Sequence, residues 1–313
     1  MKLIEPKVEV WEQITSDKKD IDVDTLLDMM WKHGERCTRV CYQSESKGED
    51  PKDFMMRVIF HGDINKDNKD KVHGAMLEHM TVYLAIHKDI VSSENFTAGD
   101  LYVLMTNPYS RVVKHDDIRY ITTNMRVIYE NNLWGFLNYV TPCTEFHERR
   151  ITISFITDIA TSREINRSRS HSMSEESTRY CNYSKDKFGK ELTFIKPAWF
   201  DKNWTLYPIT NSYLFDRYEL RDEHMDVVEY SAANTFIKAL VYAEQCYFRL
   251  LKEGWKPQQA RQVLPINTKS QVVHTAYYDE WVHFVKLRYE GVSGEPHPNI
   301  KVLAEQVYNL IIK

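Results

Sequence analysis

The residues with the most chemical potential lie in one segment, residues 162–183, which reads SREINRSRSHSMSEESTRYCNY. Arginines and serines alternate there with glutamates, and large apolar side chains are almost absent, so we expect the segment to lie outside the core. A guanidinium group can meet two phosphate oxygens at once, and hydroxyl groups add further donors. The composition therefore suits a phosphate site, although a solvated helix face with salt bridges is the commoner structure and is favoured on composition alone.

The spacing of these residues favours the phosphate site. Arg167-Ser168-Arg169 is followed after seven residues by Ser177, and Arg179-Tyr180 closes the pattern. This pattern resembles the signature of the flavin-dependent thymidylate synthases, which is Arg-His-Arg, seven residues, Ser and an Arg-Tyr pair. Four other blocks resemble family segments in the family order: His73 with Leu77-Glu78-His79, Ala260-Arg261 with Leu264-Pro265, Phe284 with Lys286-Leu287-Arg288, and Pro296-His297-Pro298. The resemblance covers roughly residues 35–310, within which residues 87–150 are an elaboration that smaller members lack.

The resemblance implies a specific activity. Members of the family convert dUMP to dTMP, with methylenetetrahydrofolate as the carbon donor, FAD as the bound cofactor and NADPH as the reductant of the flavin. They are homotetramers whose active sites are assembled from several subunits. They need no nucleophilic cysteine.

The resemblance also assigns substrate contacts to this sequence. It implies that Ser177 and Arg179 hold the dUMP phosphate and that Arg261 reaches this phosphate from another subunit. Arg288 would lie against the uracil ring, where a fixed cation stabilises negative charge that develops on the pyrimidine. Ser177 and Arg288 are thus the implied catalytic residues. The remaining nucleotide contacts would be Arg167 and Glu164, although Glu164 is equally suited to pair with an arginine.

Seven residues match family positions close to the cofactor or the folate. They are His73, Arg167, Ser168, Arg169, Glu176, His283 and His297. His297 stands between two prolines, so an equally good interpretation is a turn residue that caps the last helix.

Several positions depart from the family pattern. Ser168 replaces the central histidine of the signature, and serine lacks both the flat ring and the titratable group of histidine. Tyr277 and Asp279 stand where Asn and Arg usually contact the flavin, and Ala75 lacks a common hydroxyl group. We therefore expect weaker retention of FAD. A C5-modifying relative such as a hydroxymethylase, or an inactive nucleotide-binding homologue, remains an alternative.

Composition narrows the class of protein. The chain has 313 residues, with 41 Lys and Arg against 45 Asp and Glu, so its net charge of −4 speaks against a general nucleic-acid binder. No apolar run approaches the length of a membrane span, and the first residues lack the apolar core of a signal peptide. A cytoplasmic protein is expected.

The cysteines predict free thiols rather than a disulfide framework. Their number is odd: Cys37, Cys41, Cys143, Cys181 and Cys246. A zinc site at Cys37, Cys41 and His33 would lack a second ligand cluster, so buried packing is preferred and no metal site is predicted.

The hydrophobic pattern predicts an α+β fold in one domain over residues 1–313, with an antiparallel sheet and a homotetrameric assembly. Strands are expected over residues 1–15 and 150–159, helices over residues 23–33, 120–139, 227–252, 273–288 and 299–312, and charged loops over residues 44–53 and 62–71. Residues 76–86 fit either a buried helix or a buried strand.

Overall fold

The computed structural model describes residues 1–14, 21–59, 73–209 and 218–313. The fold is α+β. Its strands are β1 (Lys2–Ile4), β2 (Lys7–Trp11), β3 (Thr81–His87), β4 (Arg111–His115), β5 (Ile118–Asn124), β6 (Arg150–Asp158), β7 (Ser172–Glu175), β8 (Thr193–Ile195), β9 (Thr205–Pro208), β10 (Tyr218–Arg221) and β11 (Lys269–Tyr277). Its helices are α1 (Val23–Val40), α2 (Pro51–Ile59), α3 (Ala98–Thr106), α4 (Met125–Glu130), α5 (Ile159–Ile165), α6 (Ser231–Lys252), α7 (Pro257–Ala260), α8 (Tyr278–Arg288) and α9 (Pro298–Ile311).

The central sheet has the strand order β2-β6-β11-β7, and all its pairs are antiparallel. Val272 of β11 lies opposite Phe155 of β6 on one side and Glu175 of β7 on the other. One hydrophobic cluster joins this sheet to α8 and α9, with Trp281 and Ile300 fully buried in it. Because β11 leads directly into α8 and also pairs with β7, it supports both the arginine-rich segment and the C-terminal block.

A second sheet, with the order β3-β5-β4, belongs to a separate hydrophobic cluster. This cluster combines Leu26 and Met30 of α1 and Met55 of α2 with Leu104 of α3 and Ile121 of β5. Residues 87–150, expected as an elaboration, therefore share a core with the first helices.

A third cluster packs α6 against the parallel pair β1-β8 and the antiparallel pair β9-β10. The expected antiparallel sheet is thus confirmed, and the short pair β1-β8 is a parallel addition to it. Among the helices of the described ranges, α6 included, none combines the length and the apolar composition needed to cross a bilayer.

Most of the predicted elements are confirmed. The strand at 150–159 is β6, the helix at 227–252 is α6, and the helix at 299–312 is α9. The helix at 23–33 is α1, which runs on to Val40 and is capped by Asp22, whose side chain accepts from the Thr25 amide. The first strand divides into β1 and β2, and α2 begins inside the expected loop at 44–53. The loop predicted at 62–71 lies outside the described residues.

Three local predictions are wrong. The helix expected at 120–139 is strand β5, then the short α4, then a 3₁₀ segment, Trp134–Tyr139. The helix expected at 273–288 begins only at Tyr278, because the preceding residues form β11, which is buried on both faces and shows no alternation. The segment at 162–183 is not excluded from the core, since Ile165 is fully buried and β7 is part of the central sheet. The ambiguous residues 76–86 divide into a 3₁₀ segment, Gly74–His79, and β3.

Candidate functional site

A cleft of about 320 Å³ lies between the loop after α5 and helix α8. Five of the predicted site residues line it: Arg167, Ser168, Arg169, His283 and Arg288. Its volume falls at the lower end of the range, about 300–1,000 Å³, that is usual for small-molecule sites. The structure thus brings together the signature triplet and the C-terminal arginine, which are separated by more than a hundred residues.

The position of the loop is determined by the two ends of α5. The N-cap residue Asp158 is buried, and its carboxylate accepts from the Thr161 amide at 2.7 Å and from Asn299 of α9 at 3.2 Å. At the other end the buried Ile165 anchors the helix, and its carbonyl group accepts from the Ser168 amide at 3.0 Å. The signature triplet therefore begins at a rigid point of the fold.

Arg288, the last residue of α8, contacts Glu164 across the cleft. Its guanidinium lies 3.5 Å from the Glu164 carboxylate and donates to the Glu164 backbone carbonyl at 3.3 Å. Glu164 thus has the arginine-pairing role that was the alternative to nucleotide contact. The pair also holds the Arg288 side chain, which is 23% exposed, in one orientation at the cleft.

Arg167 and Arg169 are exposed at the cleft. Within the described ranges neither forms an ion pair within 4.0 Å. Of the two acidic residues that line the cleft, Asp279 pairs with Arg111 at 2.7 Å and Glu280 accepts from the Tyr277 amide at 2.8 Å. The cleft therefore carries cationic donors that are available to an anionic ligand.

Tyr277 does not fill the space that serine leaves at position 168. Its hydroxyl lies 2.9 Å from the carbonyl oxygen of Thr122 and 3.1 Å from that of Tyr109, and burial raises its pKa to about 12. Arg111 lies over its ring, 3.8 Å from the centre. Tyr277 thus binds residues 87–150 to β11. The imidazole groups that line the cleft together with Ser168 are those of His171 and His283.

A second group of predicted residues surrounds the turn after β7. Arg261 Nη1 lies 3.4 Å from Thr178 Oγ1, and Arg179 Nε lies 3.3 Å from the side-chain oxygen of Gln258. The Ser177 amide donates to the Cys41 carbonyl at 3.0 Å, which fixes the start of the turn. Arg261 therefore lies beside the turn of its own chain.

Both guanidinium groups of this turn are exposed. Among the residues that the structure describes, neither Arg179 nor Arg261 has a carboxylate within 4.0 Å. The Thr178 hydroxyl lies beside the Arg261 guanidinium, and the Ser177 hydroxyl accepts from the backbone amide of Arg179 at 3.3 Å. Two uncompensated cations next to two hydroxyl groups form a donor set suited to a phosphate dianion.

The two groups lie at opposite ends of β7. This strand has four residues, so at ~3.3 Å per residue it separates them by at least about 13 Å. Within one chain the cleft and the turn are therefore distinct half-sites rather than one pocket.

The other predicted cofactor residues, His73, Glu176 and His297, do not line the cleft. Glu176 is buried between Lys269, at 2.6 Å from its carboxylate, and the hydroxyl of Tyr183 at 3.0 Å. His73 precedes the 3₁₀ segment Gly74–His79. His297 caps α9, with its Nδ1 accepting from the Asn299 amide at 3.3 Å, which is the capping role considered as the alternative.

A wider cavity of about 600 Å³ lies beside Glu176 and is lined by several cations. Most of these cations already have partners: Lys269 pairs with Glu176, and Lys187 donates to the carbonyl groups of Tyr42 and Gln43 at 3.1 and 2.9 Å. The smaller cleft, whose arginines are available, is therefore the better candidate for an anionic ligand.

Four further residues lie behind the cleft and were not among the predicted site residues. His171, His274, Asn166 and Glu175 form a connected network there. The available signal was the polar pair His274-Thr275 inside the apolar run of β11, because a buried polar side chain normally has a partner.

The five thiols are free, and Cys37 and Cys181 are buried, whereas Cys143 is exposed. Burial raises the pKa of Cys37, whose sulfur lies 3.7 Å from His33 Nε2. Over the described ranges no group of three or more His, Cys, Asp or Glu residues is arranged to hold a metal ion.

The family model described as "Thymidylate synthase complementing protein" matches residues 136–313, which is more than half of the chain. The chain belongs to this family, that of the flavin-dependent thymidylate synthases. The matched range contains both half-sites, the cleft and the turn. Of the predicted site residues, only His73 lies before it.

Two crystal structures of the UMP/dUMP methylase PolB from Streptomyces cacaoi are similar to the chain. The structure bound with 5-Br UMP is 26% identical and the structure bound with 5-Br dUMP is 24% identical, each with a TM-score of 0.36 over 51% of this chain. The match spans just under two thirds of the length of those chains, 66% and 65%. A TM-score this low is no basis for transferring a ligand. No curated protein matches the chain significantly.

Proposed function

We propose that the protein is a flavin-dependent thymidylate synthase that converts dUMP to dTMP, with methylenetetrahydrofolate as the carbon donor, FAD as the cofactor and NADPH as its reductant. Membership of the family supports this proposal. The observation that carries it is the pair Arg179 and Arg261, which has no carboxylate partner among the described residues and lies beside the hydroxyl groups of Ser177 and Thr178.

In this proposal the turn binds the nucleotide phosphate. Arg179 and Arg261 supply charge-assisted hydrogen bonds, and Ser177 adds a hydroxyl donor. Arg288 acts at the pyrimidine ring, where its charge stabilises the electron density that builds up as carbon 5 becomes nucleophilic. Glu164 keeps Arg288 in place before the nucleotide arrives, so the cation need not reorganise during the reaction.

The cleft suits the flavin. Arg167 and Arg169 would meet its phosphates, while Ser168 and His283 would border the ring system, with Phe284 as an apolar surface. When bound and reduced, the flavin would supply the hydride that completes the methyl group. The volume of about 320 Å³ accommodates a ring system rather than a whole dinucleotide, so the remainder of the cofactor would extend beyond this chain.

We further propose that the working enzyme is a homotetramer of dihedral symmetry. The turn and the cleft lie at opposite ends of β7, so a dUMP molecule on the turn of one chain would meet a flavin in the cleft of another. Such an arrangement makes both half-sites incomplete without a partner subunit.

The reaction is tested by incubating the protein with dUMP, FAD, NADPH and methylenetetrahydrofolate and by identifying the product by mass. dTMP is expected with the wild type and not with Arg179→Ala. Ser168 favours one alternative, because a small side chain leaves room for water beside the transferred carbon, and a hydroxymethylated product would show that reaction. Tight binding of dUMP without any product would overturn both and identify a nucleotide-binding homologue.

A further inference from the structure

A series of hydrogen-bonded side chains, of which His171 and His274 are buried and Asn166 and Glu175 half-buried, runs from the cleft to Glu175. His171 lines the cleft and is 5% exposed, and its Nδ1 lies 3.2 Å from Nδ1 of His274. His274 Nε2 lies 2.9 Å from Asn166 Oδ1, and Asn166 Nδ2 donates to Glu175 Oε2 at 2.9 Å. Among the described residues, three of the four imidazole nitrogens along this path have a side-chain partner within hydrogen-bond distance, and the fourth is Nε2 of His171.

Glu175, at the far end of this series of side chains, determines the direction of the hydrogen bonds along it. Glu175 Oε1 also accepts from the hydroxyl groups of Ser162 at 2.6 Å and Ser270 at 2.8 Å, and an ionised carboxylate can only accept at its other oxygen, Oε2, as well. The amide nitrogen of Asn166 must then face Glu175. Its oxygen consequently faces His274, and an amide oxygen can only accept.

It follows that His274 carries its hydrogen on Nε2. The His274 side chain is completely buried, and burial lowers its pKa well below the ordinary value, so the ring is neutral. A neutral imidazole has one donor and one acceptor nitrogen, so Nδ1 of His274 accepts. The hydrogen bond between the two rings must therefore be donated by Nδ1 of His171.

The same reasoning leaves Nε2 of His171 without a hydrogen. Burial lowers the pKa of His171 to about 4, and the charges of Arg150 and His283 lower it further, while the backbone of Glu280 acts in the opposite direction. The ring is thus neutral at pH 7, with its hydrogen on Nδ1 and a free electron pair on Nε2. The cleft otherwise presents arginines, hydroxyl groups, two engaged carboxylates and the exposed His283. Among the described side chains that line the cleft, His171 is therefore the neutral hydrogen-bond acceptor that is held in one orientation.

We propose that His171 is a ligand-binding residue that accepts a hydrogen bond from the imide N–H of a planar heterocycle in the cleft, and that His274, Asn166 and Glu175 are positioning residues that fix its tautomer. Both a flavin and a uracil ring carry such an imide N–H between two carbonyl groups. The identity of the heterocycle rests on the proposed function, whereas the tautomer does not.

The tautomer is tested in the ligand-free wild type. Long-range proton–nitrogen spectra of protein labelled with ¹⁵N-histidine are assigned with His171→Gln and His274→Gln. A protonated Nδ1 and a bare Nε2 on His171 at pH 7 are expected. A protonated Nε2 would overturn the proposal.

The ligand is tested with two pairs of probes: FAD and its N3-methyl analogue, and dUMP and its N3-methyl analogue. In the wild type, methylation of the accepted ligand should weaken binding about three- to tenfold, the scale of one neutral hydrogen bond. The penalty should disappear in His171→Phe and persist in His147→Gln, which changes a similarly buried histidine outside the cleft. The pair that shows the penalty identifies the ring.

The outcomes separate this proposal from the proposed function. Equal affinity for the methylated and unmethylated forms of both probes would overturn the role of His171 even if dTMP is produced. If neither FAD nor dUMP binds, the proposed function and the ligand role both fail. The nitrogen spectra then decide whether the hydrogen bonds from Glu175 to His171 fix the His171 tautomer.

Discussion

Arg111 Nη1 donates to Asp279 Oδ1 at 2.7 Å, across 168 positions of sequence. Arg111 belongs to β4, in the segment expected as an elaboration, and Asp279 belongs to α8 beside the cleft. Asp279 is one of the expected departures from the family pattern, and its negative charge is compensated by Arg111 of residues 87–150. The ring of Tyr277, another departure from the family pattern, lies against the same guanidinium group.

Removing this guanidinium should loosen the attachment of the second sheet. Because the Arg111 side chain is 29% exposed and Asp279 is 64% exposed, Arg111→Ala should lower the free energy of unfolding by only about 1 kcal/mol, the combined scale of an exposed ion pair and a cation–π contact. Urea denaturation measures this change. Lys114→Ala, on the same strand, is the control, and an equal effect of the two substitutions would contradict the assigned role.

Arg179→Ala and Arg261→Ala should each weaken dUMP binding by about 2–4 kcal/mol, the scale for removing one partner of a charged hydrogen-bonded pair. The loss should be confined to the phosphate, so that binding of deoxyuridine is unaffected. Calorimetry with both ligands tests this, with Arg163→Ala as an exposed control from the same arginine-rich segment. An equal loss for deoxyuridine would show that the turn does not bind the phosphate.

Shared sites should be detectable by mixing inactive variants. Arg288→Ala removes a residue of the cleft and Arg179→Ala removes one of the turn, so each homotetramer should be inactive. If each site combines a cleft and a turn from different subunits, mixed tetramers should regain roughly a quarter of the wild-type activity, because random pairing leaves that fraction of sites intact. Light scattering that finds only a monomer at micromolar concentration, or mixtures without activity, would count against shared sites.

Ser168→His should increase FAD affinity by about three- to tenfold, because an added ring contributes about 0.5–1.5 kcal/mol through stacking. Flavin fluorescence titration measures the change. Ser170→His, a neighbouring position on the same cleft, is the matched control. An equal gain at position 170 would indicate a nonspecific effect of histidine.

Stability should fall as the pH falls below about 6.5. Burial lowers the pKa of both His33 and His79 to about 3, with Arg150 adding to the effect. Between pH 6.5 and 3 the unfolded chain binds protons that the folded chain does not. Each histidine should therefore lower the free energy of unfolding by about 1.4 kcal/mol per pH unit. Urea denaturation at several pH values should give a shallower dependence for His33→Gln than for the wild type, and identical slopes would refute this account.

The sequence predicted those features that depend on local pattern. The sequences of helices α6 and α9 and strand β6 show a clear hydrophobic periodicity. The signature spacing identified Arg167 and Arg169, and the C-terminal block identified Arg288; the three residues meet at the cleft. Strand β11 escaped prediction because Val272, Val273, His274 and Thr275 are all buried, so that no polar face alternates with an apolar one. The contact of Arg111 with Asp279 could not be inferred, because it depends on how two distant segments pack.

The short strand β7 also restricts the lengths that this part of the chain can adopt. Side chains alternate between the two faces of a strand, so one inserted or deleted residue would turn either the cleft loop or the Ser177 turn to the opposite face of the sheet. Two inserted residues would return both segments to their original faces of the sheet, but they would move the half-sites about 7 Å further apart. Insertions and deletions within the four residues between His171 and Glu176 would therefore disrupt the proposed pairing of one subunit's turn with another's cleft.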